Sequence, residues 1–261
     1  MSKVRVNDIE IHYQVEGEGE PLLFIHGLGS SLLDWEEQVS YFSKRYKVIT
    51  LDLRGHGKTS KPKGPYSIHL FADDVAGLLK ALEIDSTHIV GLSMGSATGF
   101  HLAINYPEVV KTLVVSNMSA SVPVKTFAER KQYYFRLLIV KMLGMKKMGE
   151  VLGPKIFVKP EHQHLRDLLA ERWAKNDKKA YLSSLNALKN WSVLDDLHRI
   201  TCPTLVIHAE NDYSSLELKK DYTSLIPKAR LEIIEDAGHA VSMEKPQEYN
   251  TLIKTFLEAN S

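Results

Sequence analysis

A serine at position 93 stands between two glycines in Gly91-Leu92-Ser93-Met94-Gly95; the apolar run His88-Ile89-Val90 leads in and a helix-like run, Ala97 to Tyr106, leads out. Strand, G-x-S-x-G and helix together describe a sharp turn that lifts a hydroxyl above the C-terminal edge of a sheet. The tip of such a turn is strained and tolerates no bulk two positions to either side, a demand that glycine meets at 91 and 95. The helix beyond it would aim unpaired N–H groups and the positive end of its dipole at the same spot, making the Met94 amide a candidate oxyanion donor. The chemistry this permits is acyl transfer to Ser93. G-x-S-x-G also occurs in ordinary surface turns, so the rest of the chain must decide.

A serine hydroxyl is a weak nucleophile near neutral pH and needs a histidine base oriented by a carboxylate. With eleven histidines in the chain, position matters more than presence. His239 lies in Asp236-Ala237-Gly238-His239, just after the strand-like run from Ala229 to Ile234 and before a helix-like segment that opens at Pro246. That puts it on a loop at the sheet edge where Ser93 is expected. The acid should lie between them in the order Ser, Asp or Glu, His. Thr204 to His208 reads as a buried strand entered through Pro203, and it releases Ala209-Glu210-Asn211-Asp212 at the same edge. Asp212 is the chosen acid, with Glu210 its rival. The strand Thr112 to Val115 ends in Ser116-Asn117 and offers no carboxylate. Upstream, the apolar strand Leu22 to Ile25 is followed by His26-Gly27-Leu28-Gly29, a loop whose Leu28 amide is the candidate second oxyanion donor. His26 reads as a structural histidine bonded to loop backbone.

These groups need a sheet to hold them. Lys3 to Val6 and Ile9 to Val15 flank Asn7-Asp8 as an antiparallel hairpin, and strands follow at 22–25, 46–51, 88–90, 112–115, 204–208 and 229–234. Helical patterning lies between them at Leu33 to Phe42 and in the spacing of Phe71, Val75, Leu78, Leu79 and Leu82. This β/α alternation predicts an α/β fold with a mostly parallel eight-stranded sheet flanked by helices. It breaks between about Ser119 and Leu197, a stretch without a convincing strand and richer in Lys and Arg than in acids. The expected organisation is a core formed by 1–118 and 198–261, with a helical cap over 119–197 inserted after the sixth strand. Tyr133, Phe135, Leu138, Met142, Met145 and Trp191 are candidate pocket-lining residues, although packing the cap against the core is the more ordinary use for each. The basic surplus reads as a solvated face, with acidic substrates or a membrane surface as its other uses.

Composition narrows the class. The chain has 261 residues, 44% of them hydrophobic, enough for one large core. A formal net charge of +1 supplies no global field for nucleic acid or membrane. The single cysteine, Cys202, excludes an internal disulfide and reads as a buried packing residue. No run approaches the roughly twenty apolar residues of a spanning helix, and Met1 to Glu20 lacks an apolar signal core. The expectation is a cytoplasmic protein, monomer or homodimer, acting on a small-molecule ester or lactone with neither metal nor organic cofactor.

Taken together, His26-Gly27-x-Gly29, Asp52-x-Arg54-Gly55-x-Gly57-x-x-Ser60, Gly91-x-Ser93-x-Gly95, Asp212 and Ala237-Gly238-His239 with Glu244-x-Pro246 resemble the α/β-hydrolase fold superfamily over nearly the whole chain. The opening and elbow segments look like small bacterial carboxylesterases and 3-oxoadipate enol-lactonases. The resemblance implies a Ser-His-Asp hydrolase with Ser93 as nucleophile, His239 as base and Asp212 as orienting acid. The 52–60 segment is expected to be a structural turn. Two positions depart from the pattern: Ser96 stands where many relatives have glycine, and Leu216 where relatives often carry proline. Ala240 after the histidine disfavours carbon–carbon bond hydrolases, and Ser93 disfavours dehalogenases and epoxide hydrolases, which use an aspartate at the elbow. Thioesterase, perhydrolase and haloperoxidase-like activities use similar triads. A slow-turnover ligand receptor on the same fold is the reading from another class.

Overall fold

The computed structural model describes residues 2–260, so Met1 and Ser261, the outermost positions of the two expected core segments, lie outside the described residues. Eight strands form one sheet: β1 (Ser2–Val6), β2 (Ile9–Glu16), β3 (Glu20–Ile25), β4 (Tyr46–Leu51), β5 (Thr87–Leu92), β6 (Val110–Ser116), β7 (Thr204–Ala209) and β8 (Ala229–Ile234). Their spatial order is β1-β2-β4-β3-β5-β6-β7-β8. The first two form an antiparallel hairpin turned at Asn7, whose φ of 52° suits asparagine, and β2 also pairs antiparallel with β4. From β4 onward every neighbour is parallel. All residues of β5 and β7 are buried, as the continuous apolar runs of a sheet covered on both faces require.

Helices α1 (Glu36–Phe42), α2 (Ile68–Ala81) and α3 (Met94–Asn105) follow β3, β4 and β5. The expected helix at 33–42 enters through a 3-10 turn, Leu32–Trp35, because the Ser31 side chain and the Asp52 carboxylate take the Leu33 and Leu32 N–H groups. The helix after Ser93 starts at Met94, three residues ahead of the predicted run. Cys202 is half-buried rather than fully buried.

Between β6 and β7 lies the helical insertion: α4 (Phe127–Ile156), α5 (Gln163–Ala174) and α6 (Lys178–Leu188). A capping box between Thr126 and Glu129 opens α4, and non-helical Gly144, at φ 88°, breaks it into two stretches. The neck of the insertion is closed by backbone bonds from Val122 N to Trp191 O at 2.8 Å and from Val193 N to Ala120 O at 2.9 Å. Helices α7 (Leu216–Thr223), α8 (Val241–Glu244) and α9 (Pro246–Glu258) complete the chain.

The 52–60 segment is a packed turn. Asp52 accepts hydrogen bonds from the Leu32 and Lys58 amides and contacts His12 Nδ1 at 2.7 Å. Arg54, 3% exposed, donates twice to Asp74, at 2.6 and 2.9 Å, and reaches Asp8 in the first hairpin. A buried cation held by two carboxylates thus ties the hairpin to α2.

Candidate active site

Strand β5 delivers Ser93 at φ 54° and ψ −120°, a region L-residues rarely occupy, and α3 begins at the next residue. The strain is held by packing on every side. A Cβ on Gly95 would lie 2.0 Å from the Ile25 carbonyl oxygen, and one on Gly91 would lie 2.5 Å from Ser96 N. Ser96 answers the question its hydroxymethyl raised: its Oγ donates to the Gly91 carbonyl at 2.7 Å and accepts from Ser116 N at 3.0 Å. The substitution for glycine therefore ties the elbow to β6 instead of crowding it. As the first residue of α3, Met94 has an N–H with no intrahelical acceptor. Gly27 abuts Ser93, its Cβ position 3.3 Å from Ser93 Cβ, so the loop bearing the Leu28 amide borders the hydroxyl. His26 braces that loop: Nδ1 contacts Gly27 O at 2.7 Å and Nε2 accepts from Leu53 N at 3.0 Å.

The loops after β7 and β8 bring Asp212 and His239 together. Asp212 Oδ1 lies 2.6 Å from His239 Nδ1, and neither side chain is more than 8% exposed. Glu210 is turned elsewhere and accepts from Asp236 N at 2.8 Å. Asn117, at the end of β6, fixes both loops, donating to His239 O at 2.8 Å and accepting from Ala209 N at 2.9 Å. The other Asp212 oxygen is shared by Ser214 Oγ and, at 2.7 Å, the Nζ of wholly buried Lys219, which also contacts His208 Nδ1 at 2.7 Å. Burial pushes the Asp212 pKa up, but the His239 ring and the Lys219 ammonium outweigh it and hold the carboxyl well below the usual range. Burial moves Lys219 the other way, lowering its pKa against the pull of Asp212.

His239 Nε2 meets the Tyr213 hydroxyl at 2.9 Å, and the two rings stack with centroids 4.2 Å apart. The Ser93 side chain lies close to the same phenol. Much of Tyr213 is exposed, yet its hydroxyl end is enclosed; burial and the Asp212 charge raise its pKa, so the phenol stays protonated and donates. Phenol and imidazole thus sit together beside Ser93 above the elbow. Neither Tyr213 nor Lys219 stood out in the sequence, since a residue beside a loop acid and a lysine on a short helix carry no periodic signal.

The insertion packs against the loops that carry this site. Trp173 on α5 packs so closely that a Cβ on Gly29 would lie 2.8 Å from its ring, and a Cβ on Gly238 would lie 2.6 Å from Ile156 O. Of the candidates, Tyr133 is half-buried and donates to Asn186 Oδ1 at 3.2 Å, and Met145 is buried. Trp191 stacks on Phe100 and donates to His101 Nε2 at 2.9 Å, on the flank of α3. Phe135, Leu138 and Met142 face outward and are exposed. These three lie on the side of α4 turned away from α6.

Comparison with known proteins agrees with this fold. Residues 20–144 match the family model described as the alpha/beta hydrolase fold. The chain is 30% identical over 257 residues to 3-oxoadipate enol-lactonase 2 of Acinetobacter baylyi, covering 96% of this chain and 94% of that one. The chain belongs to the alpha/beta hydrolase family. Another relative from the same organism, an (E)-2-((N-methylformamido)methylene)succinate hydrolase, is 28% identical across 97% of this chain and 95% of its own. Among solved structures, the enol-lactonase of Burkholderia xenovorans LB400 superposes with a TM-score of 0.92 at 26% identity, over 98% of this chain and 100% of that one. Within this alpha/beta hydrolase, no helix among the described residues is long and apolar enough to cross a membrane.

Proposed function

We propose that this alpha/beta hydrolase is a serine hydrolase cleaving carboxylic esters of small acyl substrates, cyclic enol-lactones included. The carrying observation is the 2.6 Å contact between Asp212 and His239 Nδ1, which leaves Nε2 directed at the hydroxyls above the elbow. Ser93 Oγ attacks the carbonyl carbon while Nε2 takes its proton; Asp212 fixes the ring tautomer and stabilises the imidazolium. The Met94 and Leu28 amides receive the oxyanion. The imidazolium then protonates the leaving oxygen, and a water activated by the same nitrogen releases the acid. In a lactone the leaving oxygen stays tethered to the acyl group, so one product carries both ends. The enol-lactonase names of the 30% identical relative and of the Burkholderia structure favour that cyclic substrate as the second reading.

In this mechanism the Tyr213 hydroxyl occupies the place of the leaving oxygen, so substrate must displace it. Replacing Ser93 with alanine is expected to lower turnover of esters and lactones by roughly three to six orders of magnitude. A fluorophosphonate should label Ser93, as located by mass spectrometry. Full activity in the alanine variant, or label on another residue, would refute the assignment.

A further inference from the structure

The chain's net charge of +1 conceals a strongly basic segment: residues 125–147 hold seven Lys and Arg against one acid, Glu129. Residues 127–143 of it are the first stretch of α4, and the two sides of that stretch are unlike. Tyr133 and Arg136 bond to Asn186 and Tyr181 on α6, and Val140 is buried, so that side faces the protein. Phe127, Tyr134, Phe135, Leu138 and Met142 recur at helical spacing on the opposite side and are 84, 57, 57, 57 and 72% exposed. From Phe127 to Met142 the stripe runs about 22 Å at 1.5 Å per residue. Exposed Arg130, Lys131 and Lys141 stand within and beside it, and among the described residues none of the three has an ion-pair partner.

We infer that this face of α4 seats the protein on an anionic lipid surface. An apolar stripe interleaved with cations is the composition that lies in a bilayer interface, its rings and aliphatic chains below the headgroups and its ammonium and guanidinium groups among the phosphates. Lys189, 5.0 Å from the Tyr133 ring centre and 6.0 Å from that of Tyr134, adds a further cation at one end. A second copy of the chain is the competing occupant, but an isologous contact would set Arg130, Lys131 and Lys141 against their own counterparts. Charge complementarity therefore selects lipid.

The test is co-sedimentation of the full chain with phosphatidylcholine vesicles, with and without phosphatidylglycerol. Binding is expected at least about tenfold tighter to the anionic vesicles and weakened by salt, because each basic residue near an anionic surface contributes roughly a fivefold factor. The double variant Lys131→Glu, Lys141→Glu should lose that preference, and Phe127→Ser with Leu138→Ser should weaken binding to anionic vesicles at every salt concentration. Circular dichroism establishes that each variant is folded, and the two variants alter the stripe independently. Absence of wild-type binding to either vesicle, equal binding by wild type and charge variant, or a concentration-dependent dimer abolished by Leu138→Ser in a chain that ignores vesicles would overturn the inference.

Discussion

At the scale of single residues, the site holds two groups that a three-residue relay does not require. The Tyr213 phenol donates to His239 Nε2, the nitrogen that takes the Ser93 proton in the proposed mechanism, so that mechanism requires the bond to open before attack. A neutral hydrogen bond has a net worth of about 0.5–1.5 kcal/mol, and Tyr213→Phe should accordingly raise kcat/KM for small esters by roughly two- to tenfold. The loop has room to yield, since residues 213–216 border an open hollow of about 510 Å³. A fall in kcat/KM would instead make the phenol a member of the proton path. Lys219 acts from below by neutralising the carboxylate that holds His239. Exchanging it for methionine leaves Asp212 buried with less compensation and should destabilise the fold by about 3 kcal/mol, measured by urea unfolding. Ser93, Asp212 and His239 could be nominated from the sequence because each lies just beyond a strand at one sheet edge. Tyr213 and Lys219 could not, because their roles arise only when the loop after β7 folds back on the acid.

At the scale of elements, β4 and β8 were legible to the residue, the first a largely apolar run and the second an alternating one, each bounded by polar or turn-forming residues. The first turn of α3 was not, since Gly95 and Ser96 are poor helix formers and are held helical by contacts with β3 and β6. Those contacts make a testable contrast between two glycines. An alanine methyl at Gly95 would meet the Ile25 carbonyl at 2.0 Å and the His26 carbonyl at 2.8 Å, backbone atoms that cannot turn aside. Gly95→Ala should cost about 3 kcal/mol or more and lower Tm by roughly 6 °C or more. At Gly144 the same methyl finds its nearest neighbour, the Lys178 side chain, at 3.5 Å, and only the φ of 88° opposes it. Gly144→Ala should therefore cost about 1–2 kcal/mol. Calorimetry that ranked the two the other way would deny that the elbow is held by its fit against β3.

At the scale of the whole molecule, the histidines make stability depend on pH. The pKa values of His26, His56, His88, His101 and His208 are all lowered, burial being the largest cause in each; His56 falls to about 3 and His101 to about 4. Three of them use a ring nitrogen as an acceptor, His26 from Leu53 N–H, His101 from the Trp191 indole and His208 from Lys219 Nζ, so a second ring proton would set donor against donor. His56 Nε2 is buried without a partner among the described residues, and the ring lies 5.1 Å from that of His26, where two cations would repel. The folded pKa values lie below the unfolded value near 6.5, so as pH falls the unfolded chain takes up protons that the folded chain refuses. Stability should hold above about pH 7 and decline from pH 6.5 downward, ahead of the carboxylate range. Each of the two enclosed histidines, His26 and His56, contributes up to about 1.4 kcal/mol per pH unit once its unfolded counterpart is protonated. Urea midpoints taken between about pH 7.5 and pH 5 should fall across this window, and His56→Asn should flatten the decline by one proton's share. A midpoint constant down to pH 5 would mean that these imidazoles accept their protons in place, against the hydrogen bonds that fix them neutral.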